Sequence, residues 1–445
     1  MIEKHWAQPL PVEFRGCVGS LAEREADSKH SRRLSAFAGK RWAVLTVGLV
    51  WACAGQPAGT APPHSAAKIN ATAPASAELA RTVVTAQSTT DIPELFAGAT
   101  AEGRATHYEV SASAFERAFQ LDPDGPLADK ALFESAEMYD LAGKHEEALA
   151  RYEQVGRRFP KSDLDRAARV RALRLLTYLE QYARAGELAD DTAIKYKDLL
   201  SFDQLAVLSA RALSRLDAAD DMQAEAAISK ARDIIERENL DAAGRVPAEL
   251  APVYYALGEL RRMRAEQIHF VPVPENFAAA LEQRCQLLLD GQGAYSDAMR
   301  AYDSHWSAMA GYRVGELYQK LHEEMMQVPP PRAANTERRR QLFEGAMRLR
   351  YSILLDKAKS MLDHTVAMAD RTGEQSSWVL KSRQARDAII QATEEEHKAL
   401  ASLPYTKQQL QAALDSFAAG PSSPAPPAKP LERDPCSGGS PYPCH

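Results

Sequence analysis

The sequence has few cysteines, few aromatic residues and no excess of basic residues. Its 445 residues include five cysteines and 7% aromatic residues, and the net charge is −6. Because a nucleic-acid-binding protein needs a basic face to displace counterions from phosphate, this balance argues against general nucleic-acid binding. No Cys and His spacing resembles a zinc site. Ala and Leu are abundant while β-branched residues are sparse, which favours helix over strand.

The familiar catalytic motifs are also missing. There is no His-Glu-x-x-His, no Gly-x-Ser-x-Gly and no Walker phosphate loop. The acidic run at 394–396 is interpreted as a solvated helix face. We therefore expect a protein that is not an enzyme and that has no cofactor, no metal and no small-molecule substrate. Four isolated histidines are interpreted as surface or packing residues: His145, His305, His364 and His397.

The longest apolar run near the N-terminus covers only 11 residues, from Trp42 to Ala52. A helix needs roughly 20 residues to span a bilayer, whereas a run of this length behind a basic cluster is typical of a secretory signal. The run ends at Cys53 in a sequence that resembles a bacterial lipobox. The alternative is a short buried helix that happens to contain this cysteine.

The lipobox resemblance implies that Cys53 is lipidated and becomes the new N-terminus. Ala54 follows it, and in the enterobacterial rule an Asp at that position retains a lipoprotein in the inner membrane. The resemblance therefore implies sorting to the outer membrane. We expect residues 1–52 to be a leader and signal peptide. Residues 53–91 are rich in Ala, Thr, Ser and Pro, and we expect a flexible linker there.

The remaining cysteines support export only weakly. Cys285 lies in a helical stretch and is interpreted as a small core residue. Cys436 and Cys444 flank a short loop in the Pro-rich tail at 418–445, which we expect to be disordered. In an oxidising compartment a disulfide between these two cysteines can close that loop.

One stretch, from 129 to 160, has the pattern of two paired helices. Gly143 can take the left-handed conformation that ends the first helix, and Pro160 prevents the second from continuing. Small and apolar residues recur at offsets of three and four, which places each set on one helix face. These residues are Leu132, Ser135, Ala136 and Tyr139, followed by Ala148, Tyr152 and Val155.

This pattern resembles the tetratricopeptide repeat (TPR), whose period is 34 residues. An earlier unit with the same second half would begin near Ile92, and looser versions follow, including "LGEL" at 257–260 and "VGELY" at 314–318. The resemblance implies an all-α, TPR-like α-solenoid over 92–327, in which neighbouring pairs cover each other's apolar faces. A helical bundle without repeats is the alternative.

Three prolines at 329–331 interrupt the helical pattern. A long helix is then predicted from a cap at Thr336 to Gly373, and another follows it. We expect these helices, within residues 333–417, to fold back as a cap that covers the last apolar face of the array.

In TPR proteins the first helix of each pair lines a groove that binds peptides. The resemblance therefore implies a protein partner held at the second, fifth, ninth and twelfth positions of the repeat. These residues differ from the Lys and Asn set that clamps a chaperone-tail carboxylate. For Phe133 the alternative is packing on the adjacent helix. The implied groove residues are Lys130, Phe133, Glu137, Asp140 and Arg174.

The whole chain most resembles the TPR lipoproteins of the Gram-negative envelope. Such proteins are scaffold subunits of outer-membrane assembly, secretion and gliding-motility machineries. The resemblance implies a non-catalytic adaptor, anchored to the outer membrane by lipid and facing the periplasm. A periplasmic chaperone for unfolded chains and a cell-wall enzyme or accessory factor are the alternatives.

Overall fold

A computed structural model describes residues 90–242 and 246–418. These residues form consecutive packed helices and no strand, so the predicted all-α class of helix pairs is confirmed. The chain divides into two compact units between Ala227 and Ile228. We call residues 90–227 the N-terminal unit and residues 228–418 the C-terminal unit. Across the described ranges, no helix is both long enough and apolar enough to cross a bilayer.

Several predictions concern residues outside the described ranges. The leader at 1–52 lies wholly outside them, and the linker and tail lie almost wholly outside. Cys53, Cys436 and Cys444 also lie outside the described ranges. Lipidation of Cys53 and a bond between the two tail cysteines therefore stay predictions.

The N-terminal unit is a run of short helices of similar length. Each of its first six helices packs on the helix that follows along the chain. An eighth helix begins in this unit and continues into the next one. The helices are α1 (Ile92–Arg104), α2 (Tyr108–Leu121), α3 (Ala128–Leu141), α4 (His145–Arg158), α5 (Asp165–Tyr178), α6 (Tyr182–Lys195), α7 (Ser201–Asp217) and α8 (Asp221–Glu238).

The same three-residue turn joins the two helices of each of these pairs. Its middle residue has a φ between 57° and 74°. The amide of its third residue donates a hydrogen bond of 2.8–3.0 Å to the carbonyl five residues back, which is the Schellman ending of a helix. Successive turns lie 37, 37 and 39 residues apart, so the pairs are repeats. The left-handed residues are Thr106, Gly143, Glu180 and Ala219.

Aromatic packing repeats with the same spacing. The rings of Phe96 and Phe115 meet edge to face with their centroids 5.2 Å apart. The rings of Phe133 and Tyr152, each 37 residues further on, meet edge to face at 5.4 Å. Such contacts add to the energy of apolar burial. They show that α1–α2 and α3–α4 are two copies of one packing arrangement.

The α3–α4 pair and the α5–α6 pair each contact the pair that precedes them through a basic residue. The Arg158 guanidinium lies 3.5 Å from the carbonyl oxygen of Pro123. The Lys195 ammonium, 37 residues on, donates to the carbonyl of Pro160 over 2.8 Å. Both prolines follow the end of a second helix, where a carbonyl has no helical partner. These contacts tie successive pairs together at the same edge.

The C-terminal unit has longer helices. The long α12 packs on α11, and α13 packs on both, while α14 packs on α12; this is the predicted helical cap. Thr336 accepts a hydrogen bond from the Arg339 amide, and Gly373 ends the helix with a φ of 76°, as predicted. The helices are α9 (Ala251–Glu266), α10 (Phe277–Met299), α11 (Ser304–Met326), α12 (Glu337–Thr372), α13 (Ser377–Ala401) and α14 (Lys407–Ala418).

Two glycines allow close helix packing in this unit, at the places where the sequence repeats Leu-Gly or Val-Gly. A Cβ atom on Gly258 would lie 2.5 Å from the ring of Tyr295, and one on Gly315 would lie 2.7 Å from Leu362. Neither contact leaves room for a side chain. Cys285 of α10 is buried, as interpreted from the sequence.

The turn geometry predicts an opposite response from two neighbouring alanines. The left-handed conformation costs a residue with a Cβ about 1–2 kcal/mol, which glycine avoids. Ala219→Gly should therefore raise the free energy of unfolding by about 0.5–1 kcal/mol after glycine's own entropy cost. Ala218 is equally exposed but has a φ of −82°, so Ala218→Gly should lower it. Urea denaturation followed by circular dichroism measures both, and shifts of equal sign would contradict the turn assignment.

Candidate functional site

The predicted groove residues lie on α3, and one of their contacts reaches α5. Glu137 forms an ion pair of 2.8 Å with Arg171 of α5. The same guanidinium stands 5.8 Å from the ring centroid of Phe133. Phe133 is 8% exposed and packs on Tyr152, which agrees with packing on an adjacent helix. Arg171 therefore joins Phe133 and Glu137 into one cluster across two successive helix pairs.

The other three predicted groove residues differ in their surroundings. Asp140 lies 3.0 Å from the His145 ring nitrogen, and that ring packs edge to face on Tyr178 at 4.6 Å. Lys130 and Arg174 are exposed. Asp140 is thus held by a neighbour within the fold, and Lys130 and Arg174 lie at the surface. The prediction that this face binds a peptide is not tested by these contacts and stays a prediction.

Sequence reasoning missed Arg171, although a signal for it existed. It lies 34 residues after Glu137, which is one TPR period, and three residues before Arg174. Its neighbour across the helices, Glu134, is half-buried. Burial, and then repulsion from Glu137, raises the pKa of the Glu134 carboxyl above its ordinary value. The cluster therefore concentrates negative charge beside one guanidinium.

A cleft with a volume of about 340 Å³ lies between α4, α5 and α6. Its basic and acidic side chains pair largely with one another. Glu153 contacts Arg184 at 2.5 Å and Arg157 at 3.3 Å. On α6, Glu187 and Asp191 also line the cleft. The cleft is thus polar and largely neutralised by its own residues.

Asp165 is the most buried carboxylate of the N-terminal unit, with no exposed side-chain surface. It pairs with Arg169 at 3.0 Å and with Lys195 at 2.6 Å, and the Tyr196 hydroxyl donates to it. Burial, followed by the interaction with Asp165, raises the pKa of Tyr196 to about 12. These contacts join the start of α5 to the end of α6, so Asp165 is a structural residue.

The C-terminal unit contains a buried ion cluster that connects three helices. Glu259 of α9 lies 2.8 Å from Arg262 and 3.0 Å from Arg313 of α11, and it accepts a hydrogen bond of 2.6 Å from Tyr295 of α10. Burial alone would raise the pKa of Glu259, but Arg313 and Arg262 outweigh it and hold that pKa below its ordinary value. The carboxylate stays charged and fully partnered, which favours a structural role.

The acidic run at 394–396 differs from its sequence interpretation. Glu394 and Glu395 are exposed, but Glu396 is only 8% exposed and pairs with Arg348 of α12 at 2.8 Å. Successive residues of a helix point about 100° apart, so one member of the run faces the neighbouring helix. The interpretation of this run as a solvated face is therefore wrong for Glu396.

The four isolated histidines differ in exposure, in line with surface or packing roles. His364 and His397 are exposed, and His145 is half-buried. His305 of α11 is 5% exposed, as is a further histidine of that helix, His322. A nitrogen of His305 lies 3.8 Å from Glu374, and one of His322 lies 4.0 Å from Glu396. Within 90–242 and 246–418, no group of three or more His, Cys, Asp or Glu residues is placed to hold a metal ion.

Comparison with known proteins adds little to these contacts. No protein-family model matches the sequence, and no curated protein matches it. A crystal structure of a tetratricopeptide repeat protein from Parabacteroides merdae is similar over 67% of this chain and 98% of that one, with 14% identity and a TM-score of 0.36. A TM-score this low establishes no shared fold, so the TPR-like assignment rests on the repeated turns and aromatic pairs.

Buried His322 predicts a pH dependence of stability. Burial lowers its pKa, and Glu396 and Glu323 only partly offset this, while Arg348 adds to it. Below pH of about 6.5 the unfolded chain takes up this proton first, so the contribution present at neutral pH is lost as the pH falls. Between pH 7.5 and 5.5, His322→Gln should lose less unfolding free energy than the wild type.

The exposed His364 supplies the control for this measurement. His364→Gln should keep the wild-type pH dependence, determined from urea denaturation at each pH. The comparison uses the change with pH and not the absolute stability, because removing His322 also alters packing. An equal pH dependence in the wild type and in His322→Gln would contradict the assignment.

Proposed function

We propose that this chain is a non-catalytic scaffold that binds a protein partner through its N-terminal unit. The observation that carries the proposal is the face shared by α3 and α5. There, Arg171 joins Glu137 and Phe133 across two helix pairs, while Lys130 and Arg174 remain exposed beside them. A surface built from successive pairs offers an extended partner several contacts in one direction.

The charge of the N-terminal unit supports a basic partner segment. Residues 90–227 contain 17 Lys and Arg against 26 Asp and Glu, a net charge of −9. Complementary charge speeds encounter and helps to exclude wrong partners.

The proposed location is the periplasmic face of the outer membrane. It is supported by the apolar run before Cys53, by the lipobox-like sequence and by Ala54 after it. The linker at 53–91 would give the helix pairs reach from the lipid anchor. The adaptor would then belong to an envelope complex such as an assembly, secretion or gliding-motility machinery.

Crosslinking of the tagged full chain in intact envelopes tests the scaffold function. We expect one envelope protein, captured in a fixed ratio. Glu137→Lys with Asp140→Lys should reduce this capture at least about tenfold, because the proposed face then repels a basic partner segment. Asp163→Lys with Asp198→Lys makes the same charge change at exposed residues elsewhere and should leave the capture intact.

Other outcomes of the crosslinking separate the alternatives. Many unrelated unfolded clients would indicate a periplasmic chaperone. Recovery of glycan strands would indicate a role on the cell wall. If both double variants capture as much partner as the wild type, the proposed face is not the binding surface.

Lipid labelling tests the proposed anchor separately. Cells given labelled palmitate should incorporate it into the wild type and not into Cys53→Ala, because the acyl chains attach at that cysteine. Globomycin should block processing of the wild type. Cys285→Ala is a control, since Cys285 lies in helix α10. Unchanged labelling of Cys53→Ala would contradict lipidation at Cys53 and, with it, the proposed outer-membrane location.

A further inference from the structure

A mainly apolar cavity of about 230 Å³ lies at the first helix pair of the N-terminal unit. The start of α1 contributes Ile92 and Phe96, and the end of α2 contributes Ala118 and Asp122. Leu127, just before α3, also lines it and is 38% exposed. We call this cavity the α1–α3 socket. Its volume is close to that of one large side chain.

The later repeats carry an aromatic residue at the equivalent helix end. Asp122 is the residue that directly follows α2. The residues that directly follow α4 and α6 are Phe159 and Tyr196, at intervals of 37 residues. Both aromatic side chains pack against the apolar core of the N-terminal unit. The first pair therefore has a carboxylate where the next two pairs have a ring.

A second position in the same place is also smaller in the first pair. Ala118 of the socket corresponds to Val155 in α4 and to Thr192 in α6, again at intervals of 37 residues. Both counterparts are fully buried. Two differences, one lost ring and one lost branched side chain, thus leave the first pair underfilled. Close packing is the rule in protein interiors, so an apolar space of this size favours an occupant.

We infer that the α1–α3 socket receives one aromatic side chain, Phe or Tyr, from a basic segment of the protein partner. This inference rests on the proposed scaffold function and specifies the partner's chemistry. The chain's own Phe159 and Tyr196 identify the kind of side chain. The carboxylate of Asp122 at the socket, and the net charge of −9 over 90–227, favour Lys or Arg beside the ring.

The probes are two labelled peptides, Lys-Lys-Gly-Phe-Gly-Lys-Lys and its counterpart with Ala in place of Phe. Fluorescence anisotropy with the full chain measures their affinities. The Phe peptide should bind at least about tenfold more tightly. Burial of an aromatic ring contributes at least the free energy that corresponds to a tenfold change in affinity. Equal affinities would overturn the inference.

The most specific variant fills the socket with an aromatic side chain of the protein itself. Asp122→Phe copies the residue found at position 159 and should reduce binding of the Phe peptide to the level of the Ala peptide. Asp122→Asn keeps the size of the side chain and removes only its charge, so it should preserve the preference for Phe over Ala. Ala118→Val narrows the socket without adding a ring and should weaken the preference. Circular dichroism and urea denaturation verify that each variant folds.

The crosslinking assay separates this inference from the scaffold proposal. If Asp122→Phe captures the envelope partner as well as the wild type does, the socket is not used, although the scaffold function stands. If the wild type captures no partner while the peptide preference holds, the scaffold function fails and the socket chemistry remains. Concentration-dependent self-association that Asp122→Phe abolishes would identify a second copy as the occupant and overturn the inference.

Discussion

The N-terminal unit depends on one backbone constraint, the left-handed residue in the middle of each three-residue turn. This residue lets the chain reverse in three residues, so that the two helices pack side by side and particular residues face each other. The aromatic pairs of Phe96 with Phe115 and of Phe133 with Tyr152 recur because the turn recurs. So do the contacts that Arg158 and Lys195 make with proline carbonyls one repeat back.

Much of the fold could be predicted because its signals are local. The cap at Thr336 and the stop at Gly373 are read directly from residue types, and both are present. Gly143 likewise predicts the left-handed turn that it forms. Thr106, Glu180 and Ala219 occupy the same left-handed position without a glycine to announce it, because packing of the two helices outweighs the local cost. These three repeats are therefore harder to recognise from the sequence than the one that contains Gly143.

The candidate site was less predictable, because it depends on contacts between helix pairs. The TPR resemblance implied that Phe133 and Glu137 line one groove, but only the structure shows Arg171 reaching them from α5. The same reason explains Glu396, whose sequence neighbours are solvated while it faces α12. Asp122 stands where the next two pairs have an aromatic residue. This is recognised only when the three helix ends are compared, because no single position shows that Phe159 and Tyr196 are its counterparts.

The underfilled first pair has a consequence for local stability. In stacked repeats each pair draws its stability from its neighbours, and an unfilled space forfeits attractive contacts along its walls. Within the N-terminal unit, α1 and α2 should therefore open more readily under native conditions than the well-filled pair that follows them. An aromatic side chain of the partner, bound in the socket, would suppress that opening. Binding there would stabilise the whole α1–α2 hairpin and slow the exchange of its amide hydrogens.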